Sequence, residues 1–321
     1  MKKVPYTKLA FTLFRKCNAS CSMCCFDSNP NCSEKLRIER IKQYIDEAKG
    51  IEYITTISFT GGEPFLEYYE LLDLVKYASS SGKRVTTITN GFWATSYEFA
   101  YSRLKELQDA GLKHISVSHD SYHKEYIKSE YVANLLKAAS QIGLPSTMAC
   151  VKIKGEKIED ILDGLDNSLY ATDLEIVPCL PAGGAKTTFN DCDYDRTLRT
   201  DTEGLRCIYG GNLVVAYDGN IYPCCSQMVF ETGLSIGNFE ELSLHEVLKK
   251  VKNNALLYLL RNKELKIFTD YAKIELNMEI PEKIVNPCEL CALLFSKINT
   301  PRFKEFVNIE INKLLNKYEA K

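Results

Sequence analysis

Three cysteines share one short run, RKCNASCSMC, with three residues between Cys17 and Cys21 and two between Cys21 and Cys24. Thiolates on one loop can converge, and three of them can bind three irons of a [4Fe-4S] cube while the fourth iron stays open to a ligand. A zinc site borrowing Cys25 or Cys32 as its fourth ligand is the alternative, and spacing alone leaves it open. A second set lies far down the chain: Cys207, the adjacent pair Cys224 and Cys225, and Cys288 and Cys291 of PCELC. Four of these would close a tetrahedral zinc site or a fully ligated iron–sulfur cluster, which sequence does not separate. Neighbouring side chains on an extended segment point to opposite sides, so Cys224 and Cys225 cannot readily ligate one metal together and one is spare. A buried small hydrophobe is the ordinary fate of such a cysteine. Cys25, Cys32, Cys150, Cys179 and Cys192 have no comparable spacing and are expected to be core or surface thiols.

Polar residues gather at the ends of three apolar runs. In ISFTGGEP, Gly61 and Gly62 would let the backbone approach a ligand closely, and Glu63 could accept from an ammonium group. TTITNGF and ISVSHDSYH add Thr89, Asn90, Ser118 and Asp120, the partners that a ribose and a carboxylate need. Taken singly, each could instead serve an Asx-turn or a helix N-cap. His123, one step into the next helix, is expected to be a surface or packing residue.

The elements that must position these groups follow a regular beat. Gly50, Gly82, Gly111 and Gly143 each follow a stretch of helical periodicity, such as Ile38, Ile41, Ile45 and Ala48, and suit a left-handed C-cap. After each comes a short β-branched or aromatic run, YITTISF, RVTTIT, HISVS and STMACVKI, expected to be buried strands. With LAFTLF before them and LEIVP after, about six strand–helix units recur at the length of a βαβ unit, which predicts a parallel, right-handed partial (β/α)6 barrel. In such a barrel ligands collect at the carboxyl ends of the strands, where the first cysteine set and the polar residues fall. From about residue 200 the beat stops. We expect a domain of residues 1–200 and a smaller, cysteine-rich and mostly helical one of residues 201–321, with helices near 240–262, 264–277 and 302–318.

The chain has 321 residues, with 40 Lys and Arg against 42 Asp and Glu, and no basic stripe that could neutralise several phosphates, so a dedicated nucleic-acid binder is not expected. The longest apolar stretches fall far short of a membrane span, and no secretory signal follows Met1. A cytoplasmic protein is expected. Thirteen cysteines without an export signal point to metal or redox chemistry rather than to disulfides.

A CxxxCxxC loop after the first strand of a partial barrel resembles the radical S-adenosylmethionine (SAM) enzymes. The resemblance implies that Cys17, Cys21 and Cys24 hold a [4Fe-4S] cluster whose open iron chelates SAM, that the GGEP run contacts the SAM methionine, and that one electron cleaves SAM to a 5′-deoxyadenosyl radical. Met23 stands where that family usually has an aromatic residue. The DGNIYPCC stretch resembles the auxiliary-cluster domains of peptide-modifying members, which implies a second [4Fe-4S] cluster on Cys207, Cys224, Cys288 and Cys291. Through CNASC, CCF, ISFTGGE, NGFW, IYPCCS and FET the chain is similar to the YydG-type radical SAM peptide epimerases, which convert L-residues to D-residues in ribosomally made epipeptides. That likeness implies Cys225 as hydrogen donor, a precursor peptide as substrate, and an external flavodoxin- or ferredoxin-like electron donor. A peptide cyclase forming a thioether or carbon crosslink is the alternative on the same cradle. With about ten residues before the first strand, peptide recognition is expected at the barrel mouth and C-terminal region rather than on an N-terminal leader-binding domain.

Overall fold

Apolar β-branched runs alternate with amphipathic helices in the computed structural model, which describes residues 6–208, 210–296 and 300–319. The order is β1 (Lys8–Thr12), α1 (Ile38–Lys49), β2 (Thr56–Thr60), α2 (Tyr68–Ser80), β3 (Arg84–Thr89), α3 (Tyr97–Asp109), β4 (Leu112–Ser118), α4 (Ser121–Lys124), α5 (Ser129–Gln141), β5 (Ser146–Lys152), α6 (Ile158–Leu162) and β6 (Thr172–Pro178). The six strands pair in sequential order and all parallel, as helical crossovers require. Gly82, Gly111 and Gly143 follow their helices with φ of +80°, +111° and +68°, as expected. Gly50 does not: it caps α1 at φ −78°, in a right-handed conformation open to other residues.

Alternation gives the sheet two unlike faces. Leu9 and Phe11 are fully buried on the helix side, where Phe11 meets Tyr44 of α1 edge-on with ring centroids 6.4 Å apart. Lys8, Ala10 and Thr12 therefore turn to the inner face. That face is polar: the Thr86 hydroxyl donates to Ser58 Oγ at 3.0 Å, and His114 Nε2 lies 3.0 Å from Thr147 Oγ1. A polar interior in a parallel sheet is a ligand-bearing surface rather than a packed core.

Beyond β6, a short α7 (Gly184–Thr188) and β7 (Leu198–Arg199) precede a return to the sheet that periodicity did not predict. β8 (Asn212–Val215) pairs parallel with β1, and β9 (Asn220–Tyr222) and β10 (Gly237–Asn238) extend the sheet antiparallel, to nine strands in all. Without β8, β1 would present a bare edge. The Asp218-Gly219 turn, with Gly219 at φ +82°, reverses the chain between β8 and β9. The helical stretch expected at 240–262 is two helices, α8 (Leu244–Lys252) and α9 (Ala255–Asn262), because the Asn254 side chain accepts from Leu257 N and starts a new helix. Then come α10 (Lys266–Glu275), β11 (Lys283–Ile284) antiparallel to β7, an unexpected α11 (Pro287–Phe295), and α12 (Pro301–Glu319). Phe239 sits 4.7 Å from Tyr44, and Arg40 Nε donates to the Phe239 carbonyl at 2.9 Å, so both regions share one core. No helix among the described residues is long and apolar enough to cross a membrane.

Candidate functional site

The cysteine loop leaves the carboxyl end of β1 and is pinned by backbone contacts from two sides. On one side, Gly62 N donates to the Phe14 carbonyl at 2.6 Å and Glu63 N to the Lys16 carbonyl at 3.0 Å. A Cβ on Gly62 would lie 1.9 Å from the Lys16 oxygen, and one on Gly61 2.7 Å from the Phe14 oxygen. The glycine pair was expected to make room for a ligand. It also admits the segment that delivers Cys17, because no side chain fits between the two backbones. On the other side lies a pair that sequence reasoning missed: Gly184 N donates to the Cys24 carbonyl at 2.9 Å, and Gly183, at φ +53°, would place a Cβ 2.5 Å from the carbonyl oxygens of Cys24 and Cys25. The PAGGA run after β6 was its available signal. Arg15 completes the clamp, donating from Nε to the Phe26 carbonyl at 2.9 Å and pairing with Asp27 and Glu34.

Cys17 and Cys21 are buried and Cys24 is half-buried. Burial pushes the Cys17 thiol up to about 12, with Glu63 and Cys24 adding to it, and pushes Cys21 higher, with Cys17 and Cys24 adding. Thiols that repel one another's ionisation await a cation, which deprotonates them as it binds.

Glu63 is fully buried, and burial raises its carboxyl to about 7 against three hydrogen bonds. Phe65 N (3.0 Å) and Thr89 Oγ1 (2.8 Å) donate to Oε1, and Asn90 N (2.6 Å) donates to Oε2. A carboxylate has about four acceptor positions, so one remains for an external donor such as an ammonium group. Thr89 was expected among the partners of a ribose and a carboxylate. Its hydroxyl is spent, because it donates to Glu63 while accepting from Gly91 N at 3.1 Å and Trp93 Nε1 at 3.0 Å. Asn90 joins the two halves of the site: its Nδ2 donates to Asn18 Oδ1 at 2.9 Å and faces Cys17 Sγ at 3.7 Å, while its Oδ1 accepts from Phe92 N.

Asp120 takes the helix N-cap role that sequence offered beside a ligand contact. It caps α4, with Oδ1 accepting from Tyr122 N (3.1 Å), His123 N (3.0 Å) and His123 Nδ1 (2.9 Å), and Oδ2 accepting from Val151 N (3.1 Å). Burial would raise this carboxyl, but His123 and the backbone donors hold it below its ordinary value. Three donors fill Oδ1, while Oδ2, with one, keeps an acceptor position. His123, half-buried, packs against that cap. Ser118 keeps its place, half-buried at the carboxyl end of β4.

The second cysteine set surrounds a small cavity of about 30 Å³ lined by Cys207, Cys224, Cys288 and Cys291 together with Ser226, Met228, Val229, Leu260, Leu265 and Pro287. Asn286 accepts from Cys288 N at 2.9 Å and Pro287 starts α11, so Cys288 and Cys291 lie three apart on one helix face. Burial raises Cys224 to about 12 and Cys288 to about 11, and Cys291 is pushed well up by burial and by Cys224, Cys207 and Cys288. Among the described residues, no three ligating side chains gather tightly enough to hold one metal ion. Four thiols around a volume suit a polynuclear cluster, each iron of which takes one thiolate.

Register places the two sets at opposite ends of the strands. The antiparallel pairing Val214↔Tyr222 brings the chain after β9 back to the level of Asn212, which pairs with Lys8 at the start of β1. Tyr6, two residues before β1, is raised to about 12 by burial first, with Cys224 and Cys207 contributing. Cys225 does not line the cavity. It is exposed, and Asn212 Nδ2 lies 2.9 Å from its Sγ. Asn212 had no signal in sequence, since its position opposite Cys225 depends on the β8–β9 register.

Comparison with known proteins agrees with this arrangement. The radical SAM superfamily model matches residues 11–166, and an iron–sulfur cluster-binding domain model matches residues 207–292. The putative peptide biosynthesis protein YydG of Bacillus subtilis (strain 168) is 30% identical over 300 residues, which cover 91% of this chain and 93% of the relative. A GTP 3′,8-cyclase of Aliarcobacter butzleri (strain RM4018) is 30% identical over 179 residues, covering 51% of this chain and 52% of the cyclase. Among solved structures, native anSMEcpe with bound AdoMet and Cp18Cys peptide shares the fold at a TM-score of 0.53 and 15% identity, covering 98% of this chain and 99% of that one. The cofactors are therefore SAM and a [4Fe-4S] cluster in the first domain, with auxiliary iron–sulfur in the second. A barrel whose strand ends hold one thiol set, joined to a second thiol set around its own cavity, places the chain in the radical SAM superfamily, among the YydG-type proteins with a C-terminal iron–sulfur domain.

Proposed function

We propose that this protein converts L-residues to D-residues in a ribosomally made peptide, by removal of an α-hydrogen and return of a hydrogen atom from Cys225. The observation that carries this reading is the separation of the adjacent pair: Cys224 lines the thiol cavity, whereas Cys225 lies outside it, exposed and held by Asn212. The peptide substrate is supported by the name of the YydG relative. Residues 1–200 would form the SAM-binding domain and residues 201–321 the auxiliary domain, although β8 to β10 of the second complete the sheet of the first.

When bound, the cluster and SAM supply a 5′-deoxyadenosyl radical. Cys17, Cys21 and Cys24 hold the irons, and Glu63, oriented by Thr89, Asn90 and Phe65, accepts from the SAM ammonium. Ser118, on the inner face, is available to a ribose hydroxyl. Loss of the α-hydrogen leaves a planar carbon radical, either face of which can accept a hydrogen atom. Cys225 approaches from the amino end of the strands, remote from the SAM end, so hydrogen delivered by its thiol inverts the centre. The S–H bond breaks as the C–H bond forms, and the resulting thiyl takes one electron from an external flavodoxin- or ferredoxin-like donor and one proton from solvent before the next turnover. Cys207, Cys224, Cys288 and Cys291 hold the auxiliary cluster.

The test is turnover of the precursor peptide in ordinary and deuterated water. Inversion leaves the mass unchanged in H2O and adds one deuterium in D2O, with a D-residue on hydrolysis. A product lighter by two hydrogens would replace this reading with a crosslinking cyclase.

Two expectations concern the cradle. Glu63→Gln should weaken SAM binding by about 10- to 100-fold, because a hydrogen bond to a charged group contributes about 1.5–3 kcal/mol. With the Glu63 carboxyl near 7, the binding form grows as pH rises, so wild-type SAM affinity should increase from pH 6 to 8 and the Gln variant should lose that slope. Equal slopes in a calorimetric titration would remove Glu63 from the ammonium site. Gly62→Ala must displace the Lys16 carbonyl, an overpacking that costs about 1–3 kcal/mol. It should lower iron bound at the first site while the auxiliary iron stays, as read by iron content per chain.

A further inference from the structure

We infer that Lys8 and Arg84 form a carboxylate-binding subsite on the inner face of the sheet, one that holds an acidic group of the peptide beside Cys225. This rests on the epimerase reading and adds to it the chemistry of the peptide that the barrel accepts.

Register lines the residues up in one row across four strands: Asn212 of β8 pairs with Lys8, Lys8 with Thr56, and Thr56 with Arg84. Strands lie about 4.8 Å apart, so the Cα atoms of Lys8 and Arg84 are roughly 10 Å from each other, a gap that two long side chains close around one carboxylate. Both project to the inner face, since their neighbours Leu9 and Val85 are fully buried on the helix side. Their charges meet over that face: His114 is lowered first by burial, then by Arg84 and Lys8, while Asp173 acts in the opposite sense. Among the described residues, neither cation is ion-paired, although Arg15, Arg37, Arg196 and Arg199 all are. Two unpaired like charges, Lys8 half-buried and Arg84 exposed at the amino rim of a polar face, raise the local potential and draw an anion. The SAM carboxylate is not that anion, because the cradle of Glu63 and the cysteine loop lies at the other end of the strands, about 16 Å along a five-residue run. Asn212, the Lys8 partner in the row, also holds the Cys225 thiol, so a peptide anchored on the two cations lies within reach of that thiol.

The probes are three short peptides: acetyl-Ala-Glu-Ala-amide, acetyl-Ala-Gln-Ala-amide, and acetyl-Ala-Ala-Ala with a free carboxylate. Calorimetry on the reconstituted enzyme with SAM should show the acidic peptides binding at least tenfold more tightly than the Gln peptide, with the preference fading at high salt. The tighter of the two acidic peptides identifies a side-chain or a terminal carboxylate as the occupant. Lys8→Met and Arg84→Met should each abolish the preference, and Lys8→Arg should restore it, which a misfolded protein could not do. Equal affinity for the Glu and Gln peptides in the wild type, or a preference that survives both Met substitutions, would overturn the subsite. Binding is read without turnover, so an enzyme that selects acidic peptides but makes no D-residue would sink the epimerase reading and leave the subsite standing.

Discussion

Cys225→Ala enzyme given SAM, reductant and precursor peptide in deuterated water should produce 5′-deoxyadenosine and return a peptide with neither a D-residue nor solvent deuterium. Cluster loading should be untouched, because the cavity wall is made by Cys224 and Cys225 faces away from it, bonded to Asn212. Abstraction should be untouched as well, since the thiol lies at the amino end of the strands and the SAM cradle at the carboxyl end. What is lost is the exchangeable hydrogen on the far face of the substrate radical. Wild-type enzyme should place one deuterium on each inverted α-carbon, since a thiol proton exchanges with solvent. Cys224→Ala is the internal contrast: it should lose auxiliary iron, which Cys225→Ala should not. A labelled D-residue from the Cys225→Ala variant would remove the thiol from the reaction.

Replacing Cys17, Cys21 and Cys24 together by Ala should abolish SAM cleavage and remove one cluster, while iron bound by Cys207, Cys224, Cys288 and Cys291 remains. The loop should keep its course, because its backbone is held by Gly62, Glu63 and Gly184 through bonds that involve none of the three thiols. The two sets lie at opposite ends of the strands, which separates their loading. Iron analysis and 5′-deoxyadenosine assay on the same preparation decide the matter. Continued SAM cleavage by the triple variant would mean that the radical site lies elsewhere.

The succession of strand and helix was legible because each unit obeys local rules: β-branched runs too short for helices, helical periodicity before glycine, and one crossover per parallel pair. The thiol sets were legible for a similar reason, since thiolate ligation depends on residue type and on spacing within a loop or a helix turn. What the chain could not disclose was how polar groups spend their hydrogen bonds. Thr89 and Asp120 carry the chemistry of ligand partners, yet the Thr89 hydroxyl is saturated in serving Glu63, and Asp120 gives its Oδ1 to the cap of α4. Gly61 and Gly62 make room for the cysteine loop itself.

Ligand types, loop spacing and the parallel strand order were therefore written in local sequence, where neighbours within a few residues set the outcome. The tertiary structure alone decided that β8 closes the edge of β1, that Gly183 and Gly184 lock the far side of the cysteine loop, and that Asn212 meets Cys225. Each of those depends on pairing between segments tens to hundreds of residues apart. Local alternation shows that one thiol of the adjacent pair is spare. A one-residue slip in the β8–β9 register would turn these side chains to the other face, so only the tertiary structure decides that Cys224 lines the cavity and Cys225 lies outside it.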